Sequence, residues 1–125
     1  MLLVYLTVTG YVENFVEKTG MDSHELDITN PFYEVGEDYI IVTPTYEGEL
    51  NDEIEDFINY KDNINYLKGF AASGNLNFDN LYCINGKQLS RKFKKPLIIK
   101  FEFNGTDKDL EKFKEEISKI ENTNT

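Results

Sequence analysis

Hydroxyl, amide and glycine residues follow three apolar segments of this chain, and their types suit binding of an anion and of a flat ring. The first group, TVTGYV at 7–12, places two threonines and a glycine between an apolar run and the start of a helix. N–H groups at a helix N-terminus, with hydroxyls beside them, can hold a phosphate without a basic side chain. A plain helix cap is the more frequent use of such residues. The candidate anion-binding residues are Thr7, Val8, Thr9, Gly10, Tyr11 and Val12.

The second group follows the apolar run YIIV at 39–42. Tyr46 offers an aromatic face, and Gly48 offers a peptide that can change conformation at low cost. This pair suits a flat cofactor whose hydrogen bonding changes with its state, although a turn with a half-exposed tyrosine explains it equally well. The candidate residues here are Thr43, Pro44, Thr45, Tyr46, Glu47 and Gly48.

The third group, SGNLNFD at 73–79, combines amide donors, an aromatic ring and a glycine that permits close backbone approach. The group could form hydrogen bonds with the polar edge of a ring system, but taken alone its residues are those of an ordinary turn. The chain has neither a GK[ST] phosphate loop nor a GxGxxG loop, which disfavours ATP and dinucleotides. The candidates are Ser73, Gly74, Asn75, Asn77, Phe78 and Asp79, with Tyr82 close behind them.

The single histidine and the single cysteine are weaker candidates for a functional site. His24, the single histidine, falls on a predicted edge strand away from the three groups, so it supports neither a catalytic triad nor a histidine-based metal site. Cys83, the single cysteine, cannot form a redox pair; packing is its more frequent role, although it lies close enough to the third group to line a site there.

The charge balance disfavours some partners. With 23 acidic and 13 basic residues, the formal charge of −10 argues against a nucleic-acid binder, which needs a basic face to displace counterions. Most acids lie in residues 1–62 and most basic residues in 63–125. The acidic half indicates a solvated face. Alternatively, it is a surface that steers a partner or tunes the properties of a redox group. The basic segment Lys87–Lys95 reads as a solvated helix face, or alternatively as a docking surface for an acidic partner.

The length of 125 residues suits a single domain over 1–125, and we expect about residues 122–125 to form a disordered tail. No apolar run reaches the length of a membrane span or a signal segment, and one cysteine excludes an intrachain disulfide. We therefore expect a cytoplasmic protein that does not act at a membrane.

Strands and helices alternate along the chain. Apolar runs predict strands at 2–7, 24–28, 39–43, 67–73 and 96–103, with helices between Gly10 and Gly20, at 51–60, at 86–93 and from about 106 onward. Right-handed crossovers then give an α/β three-layer sandwich whose five-stranded parallel sheet has the order 2-1-3-4-5. In that order ligands bind at the carboxyl ends of strands 1 and 3, where the loops after strands 1, 3 and 4 converge.

Four short motifs follow one another in the second half of the chain: ASGN at 72–75, the Asn77-Phe78 pair, a helix ending before Pro96, and FEFNGTDKD at 101–109. This series resembles the NrdI family of small flavodoxin-like proteins, whose motifs are ASGN, NW or NF, VP and FELxGTxxD. The resemblance covers nearly the whole chain and is strongest in 69–110. Two positions depart from the family pattern: Tyr11 stands where Asn is usual, and Asp79-Asn80 stands where Gly-Asp is usual.

The resemblance implies a flavodoxin-like fold with FMN as the cofactor. By matching position, the first group would surround the FMN phosphate, the second would face the isoalloxazine ring, and the third would hold that ring from its other side. The peptide at Gly48 would bond flavin N5 in one redox state. We expect Tyr11 to weaken FMN binding without abolishing it, because the backbone donors remain.

The resemblance also implies an accessory redox role with class Ib ribonucleotide reductase. FMN hydroquinone would reduce O2, and a superoxide-level oxidant would reach the dimanganese small subunit to generate its tyrosyl radical. The implied partners are that subunit, O2, and an electron donor that is a reductase or a flavodoxin- or ferredoxin-type protein. We add the hypothesis that acids near the second group, Glu47 and Glu49 among them, make the reduced flavin a stronger reductant. The alternatives are a general electron-transfer flavodoxin and an interaction module that has lost FMN.

Overall fold

The computed structural model describes residues 1–45, 51–77 and 82–123. Five strands form one sheet in the order β2-β1-β3-β4-β5, and every neighbouring pair is parallel. Their bounds are β1 Leu2–Tyr5, β2 Ser23–Glu25, β3 Tyr39–Thr43, β4 Leu67–Gly74 and β5 Leu97–Glu102. The predicted α/β class and strand order are therefore confirmed.

The helices of the described parts are α1 Tyr11–Thr19, α2 Asn51–Ile58, α3 Asn63–Tyr66, α4 Ile84–Phe93 and α5 Asp107–Thr123. Helix α5 begins with a reciprocal cap, because Asp109 N donates to Thr106 Oγ1 (3.1 Å) and Thr106 N donates to Asp109 Oδ2 (2.9 Å). Of the helices in these parts of the chain, none has the length and apolar character needed to cross a membrane.

Alternation along the strands divides the core into two apolar clusters. In β3, Ile40 and Val42 face one side of the sheet, whereas Tyr39 and Ile41 face the other. The first side is covered by α1 and α5, and the second by α2 and α4. The continuous apolar runs of the strands are explained by this burial on both faces, and the result is the predicted three-layer sandwich.

Three strands end earlier than predicted. β1 was expected to reach Thr7 but ends at Tyr5, because the Thr7 hydroxyl accepts a hydrogen bond from Gly10 N (3.1 Å) in the turn that follows. β2 was expected to reach Ile28 but ends at Glu25, because the Asp27 carboxylate accepts hydrogen bonds from Thr29 N (2.9 Å) and Thr29 Oγ1 (2.6 Å) and turns the chain. β5 was expected to reach Phe103 but ends at Glu102, because Phe103 has a left-handed backbone with a φ of 50°. Local turn chemistry overrides the apolar pattern at all three ends.

Four helical predictions need correction. α2 was expected to reach Tyr60 but ends at Ile58, because Tyr60 N donates to Phe57 O (3.2 Å) in a tighter turn. α4 begins two residues before the expected Gly86, and a Cβ at Gly86 would lie 2.6 Å from Ala72 Cβ, so this glycine lets the helix approach β4 closely. The short helix α3 was not predicted. α5 continues to Thr123, whose hydroxyl donates to Lys119 O (2.8 Å), so residues 122 and 123, expected to begin a disordered tail, belong to the helix. Residues 124–125 lie outside the described part.

Candidate functional site

The candidate site is formed where the carboxyl ends of β1, β3 and β4 lie side by side. Leu6 N donates to Val42 O (3.1 Å), which continues the β1–β3 pairing up to the first loop. Thr45 Oγ1 donates to Ser73 O (2.7 Å), which joins the second loop to the third. The three groups of residues singled out in the sequence therefore leave adjacent strands at one edge of the sheet.

The first loop is a preformed turn with backbone donors. Gly10 has a φ of 90°, and its N–H donates to Thr7 Oγ1 (3.1 Å). The ladder of α1 begins with Asn14 N donating to Gly10 O (3.0 Å), so the N–H groups of Tyr11, Val12 and Glu13 precede the helical bonds. A Cβ at Gly10 would meet no heavy atom within 4 Å, so there is space over the turn. This arrangement can receive an anion.

Side chains within the first loop differ in their surroundings. Val8 and Thr9 are exposed, Thr7 is half-buried, and Val12 is buried in the core against the sheet. Among these residues, Val12 could therefore contact a ligand through its backbone, whereas the Thr9 hydroxyl is open to solvent.

The second loop is described only at its beginning. Thr43 and Pro44 are buried, and Thr43 Oγ1 donates to Pro44 O (3.2 Å). Tyr46, Glu47 and Gly48, to which the ring-facing roles were assigned, lie outside the described residues. Their roles stay predictions.

The third loop is held by the end of β5. Ser73 Oγ donates to Phe103 O (2.6 Å), and Phe103 N donates to Gly74 O (3.1 Å). Further along, Leu76 N donates to Glu102 Oε2 (3.2 Å). These three hydrogen bonds fix where the third loop leaves the sheet.

Asn75 and Asn77 form a local turn in the third loop. Asn75 Oδ1 accepts a hydrogen bond from Asn77 N (3.0 Å), as asparagine often does two residues before its partner. Asn77 is exposed and Asn75 half-buried, so amide donors remain at the surface of the site. Phe78 and Asp79 lie outside the described residues.

Tyr82 and Cys83 lie behind the third loop. A Cβ at Gly74 would be 3.0 Å from Tyr82 Cδ1 and 3.1 Å from Cys83 Sγ, so glycine allows the loop to rest on both residues. Burial raises the pKa of the Cys83 thiol, which donates to Ala72 O (3.4 Å). Burial likewise raises the pKa of Tyr82, even though Lys87 and Lys100 lie 5.9 and 6.0 Å from its ring centroid. Both groups therefore stay protonated at neutral pH, and the cofactor-binding role of Tyr82 stays a prediction.

An exposed apolar rim surrounds the loops. It consists of Val8 (56% exposed), Tyr11 (41%), Leu76 (55%) and Phe103 (42%). Phe103 was not among the predicted site residues, yet its ring stands edge-on to that of Tyr11, with centroids 5.2 Å apart and an interplanar angle of 62°. The motif FEFNGT contains Phe103, but the alternation of a strand gave no sign of its turned backbone.

His24 lies on the edge strand β2, as predicted. Its ring stacks on that of Tyr33 with centroids 3.8 Å apart, and burial lowers its pKa. The structure thus gives His24 a packing partner away from the three loops.

The charged segments are partly joined to each other. Lys92 of α4 forms an ion pair with Glu55 of α2, so one member of the basic segment and one of the acids near the second group offset each other. Asn51 of α2 also bonds to α4, through Asn85 (3.2 Å) and Gln88 (3.1 Å). The docking and flavin-tuning hypotheses must therefore rest on the other charges.

Comparisons with known proteins agree with this architecture. Two solved structures, each 18% identical in sequence, share the fold. A short-chain flavodoxin associated with a PDU bacterial microcompartment has a TM-score of 0.74, with 99% of this chain and 97% of that chain covered. Oxidised flavodoxin 2 from Bacillus cereus has a TM-score of 0.61, with 98% and 97% covered.

Sequence comparisons identify the family. Protein NrdI of Bartonella tribocorum is 32% identical over 115 residues, with 88% of this chain and 87% of that protein covered. The family model described as NrdI Flavodoxin like matches residues 3–115. The motifs at 72–75 and 101–109, which suggested this relationship, fall inside the matched region. The chain therefore belongs to the NrdI flavodoxin-like family.

Proposed function

We propose that this protein binds FMN at the three loops and assists class Ib ribonucleotide reductase. Family membership supports a flavin-binding, flavodoxin-like role connected with ribonucleotide reductase. The main structural support for the proposal is the open turn at Gly10, which lies next to the second and third loops. Those two loops are joined by the bond from Thr45 to Ser73.

The first loop fits the phosphate of FMN. Its N–H groups at the start of α1 and its hydroxyls at Thr7 and Thr9 supply hydrogen-bond donors, and the helix dipole favours an anion there. The bond from Gly10 N to Thr7 Oγ1 holds the turn in shape before a ligand arrives. The loop would thus bind phosphate through backbone groups, with little reorganisation.

The second and third loops would orient the ring. Thr45 is held to Ser73, and the surface amides of Asn75 and Asn77 are available to the polar edge of a flavin. When bound, FMN supplies the redox chemistry, and the protein supplies position and electrostatics. Electrons would pass to O2, and the resulting superoxide-level oxidant to the dimanganese small subunit. The exposed rim residues Val8 and Leu76 leave this edge accessible to such a partner.

A matched pair of glycine variants tests the FMN site. Gly10 and Gly36 both have a positive φ, and a Cβ at either position would meet no heavy atom within 4 Å, but Gly36 lies in the β2–β3 connection. Both Gly→Ala variants should lose about 1 kcal/mol of stability from backbone strain. Only Gly10→Ala should also bind FMN more weakly, measured by fluorescence titration. Unmodified protein that stays colourless after FMN addition and desalting, with no titration signal, would refute the FMN proposal.

A second experiment tests the partner. Manganese-loaded small subunit, reduced flavoprotein and O2 should together give a tyrosyl radical detectable by electron paramagnetic resonance. FMN binding without radical formation or complex formation would instead indicate a general electron carrier. Cytoplasmic location, the electron donor and the single-domain organisation stay predictions of the same proposal.

A further inference from the structure

We propose that Phe103 is a positioning residue that aligns the phosphate-binding first loop with the ring-binding third loop. The inference rests on the proposed FMN function and deepens it, because it assigns a role to a residue at the end of β5 that lies outside the three loops. Its basis is a continuous series of contacts through Tyr11, Phe103, Ser73 and Thr45, which joins all three loops.

The main chain of Phe103 is fixed to the third loop. Its carbonyl accepts a hydrogen bond from Ser73 Oγ (2.6 Å), and its N–H donates to Gly74 O (3.1 Å). A non-glycine residue reaches a φ of 50° only at an energetic cost, so surrounding contacts must hold it there. These two bonds do so, and they aim the side chain away from the strand.

The ring of Phe103 reaches the first loop. It meets the ring of Tyr11 edge-on, at a centroid distance of 5.2 Å, which is a favourable geometry for two aromatic rings. Tyr11 is the first residue of α1 and directly follows Gly10. The contact therefore orients the first turn of α1, whose N–H groups would face the phosphate.

The ring of Phe103 lies outside the buried core. It is 42% exposed and belongs to neither of the two buried clusters defined by the described residues. The turn after β5 is closed without the ring, since Gly105 N donates to Glu102 O (2.8 Å). Truncating Phe103 should thus keep the fold while releasing Tyr11.

The comparison of two flavins isolates this role. FMN would span both loops, whereas riboflavin lacks the phosphate and would use the second and third loops. We expect Phe103→Ala to weaken FMN binding about threefold to tenfold, as expected for a lost aromatic pair, and to change riboflavin binding by less than about twofold. Phe103→Tyr keeps the ring and should restore the ratio of the two affinities. Phe103→Leu, which keeps apolar bulk, should fall between.

Two further variants complete the test. Tyr11→Leu should reproduce the effect of Phe103→Ala, and the double variant should add little, because both changes remove the same contact. Phe32→Ala is the matched control, since Phe32 is 54% exposed and its ring neighbours Tyr60 away from the site. Affinities come from fluorescence titration, and the visible circular dichroism of bound FMN reports its orientation.

The outcomes distinguish a failure of the role of Phe103 from a failure of the proposed FMN function. Unmodified protein that binds neither flavin overturns the FMN function, and the inference with it. Unmodified protein that binds FMN, together with an unchanged affinity ratio in Phe103→Ala and Phe103→Leu, overturns the inference alone. Equal weakening of both flavins would also overturn it, because a general structural defect has that signature.

Discussion

The two faces of the sheet are covered by different kinds of contact. Under α1 and α5, the ring of Phe15 stacks on Phe101 (centroids 4.1 Å apart) and stands edge-on to Phe113 (5.3 Å). Under α2 and α4, polar groups enter the layer: Asn63 is fully buried, and Tyr39 holds a buried hydroxyl without a hydrogen-bond partner in the described structure. The α2–α4 face also has aromatic pairs, such as Tyr39 edge-on to Phe57 (5.5 Å), but its stability depends in addition on how well these buried polar atoms are satisfied.

This difference extends to the site. The first loop stands on α1, within the aromatic face, whereas α2 and α4 follow the second and third loops. Those two helices are joined through Asn51–Asn85, Asn51–Gln88 and Glu55–Lys92, of which the last two pairs each include an exposed side chain, Gln88 and Lys92. Exposed polar bonds and ion pairs contribute little, since water competes for the same groups. We infer that the first loop, which would bind the phosphate, is supported by more stable packing than the second and third loops.

The largest effect is expected from Phe113→Ala. Phe113 is fully buried between α5 and the sheet, and its removal leaves a cavity beside Phe15. We expect a loss of about 3–5 kcal/mol in the free energy of unfolding, measured in urea by circular dichroism. Phe32→Ala, at an exposed ring, should change it by less than about 0.5 kcal/mol. A loss below about 1 kcal/mol in Phe113→Ala would show that the aromatic face is not interlocked.

The layered fold could be predicted from the sequence because each strand is a short apolar run buried on both faces. β3 was predicted at the bounds observed, Tyr39–Thr43, since it is the central strand and its residues are all buried. The edge strands β2 and β5 were predicted too long. Their ends are decided by the Asp27 turn and the left-handed Phe103, which the apolar pattern does not encode.

The site could be predicted in part. The meeting of the three loops follows from strand order, and the Thr45–Ser73 bond agrees with it. The role of Phe103 depends on a backbone angle and on two bonds to residues about 30 positions earlier, so no local pattern reveals it. The ring-facing residues Tyr46, Gly48 and Phe78 stay predictions.

Asn63→Ala tests the polar face. Asn63 Nδ2 donates to Tyr33 O (2.7 Å) and Phe57 O (2.9 Å), and its Oδ1 accepts from Val35 N (3.0 Å). Truncation leaves these backbone groups without their partner, so we expect a loss of about 2–3 kcal/mol in unfolding free energy. Asn65→Ala, on the exposed side of α3, should be nearly neutral. A loss as small as that of the control would mean that the face does not depend on this side chain.

Gly86→Ala tests how closely α4 lies on β4. Alanine favours a helix by about 1 kcal/mol over glycine, but here its methyl group would lie 2.6 Å from Ala72 Cβ, and such overpacking costs about 1–3 kcal/mol. We expect a net loss of about 1 kcal/mol in urea unfolding. Arg91→Ala, at an exposed position of α4, controls for helix propensity. A more stable Gly86→Ala would show that α4 can move outward, and the contrast between the faces would sharpen.

Tyr39→Phe has the smallest expected effect at neutral pH and the most specific one at high pH. Because the buried Tyr39 hydroxyl has no partner in the described structure, its removal should leave stability unchanged or raise it by about 1 kcal/mol. Burial raises the pKa of Tyr39 above its ordinary value of 10.0. The unfolded chain therefore ionises first, and the unmodified protein loses stability as the pH rises above about 10.

The phenylalanine variant lacks this titration, so its advantage in urea unfolding should widen between pH 7 and about pH 10.5. Tyr60→Phe, at a half-buried ring, is the matched control and shows how much the loss of any tyrosine hydroxyl contributes. If Tyr39→Phe lost more than about 1 kcal/mol at pH 7, the hydroxyl would have a partner in solution. The polar atoms of the α2–α4 face would then be satisfied after all, and the two faces would differ in the kind of contact but not in its completeness.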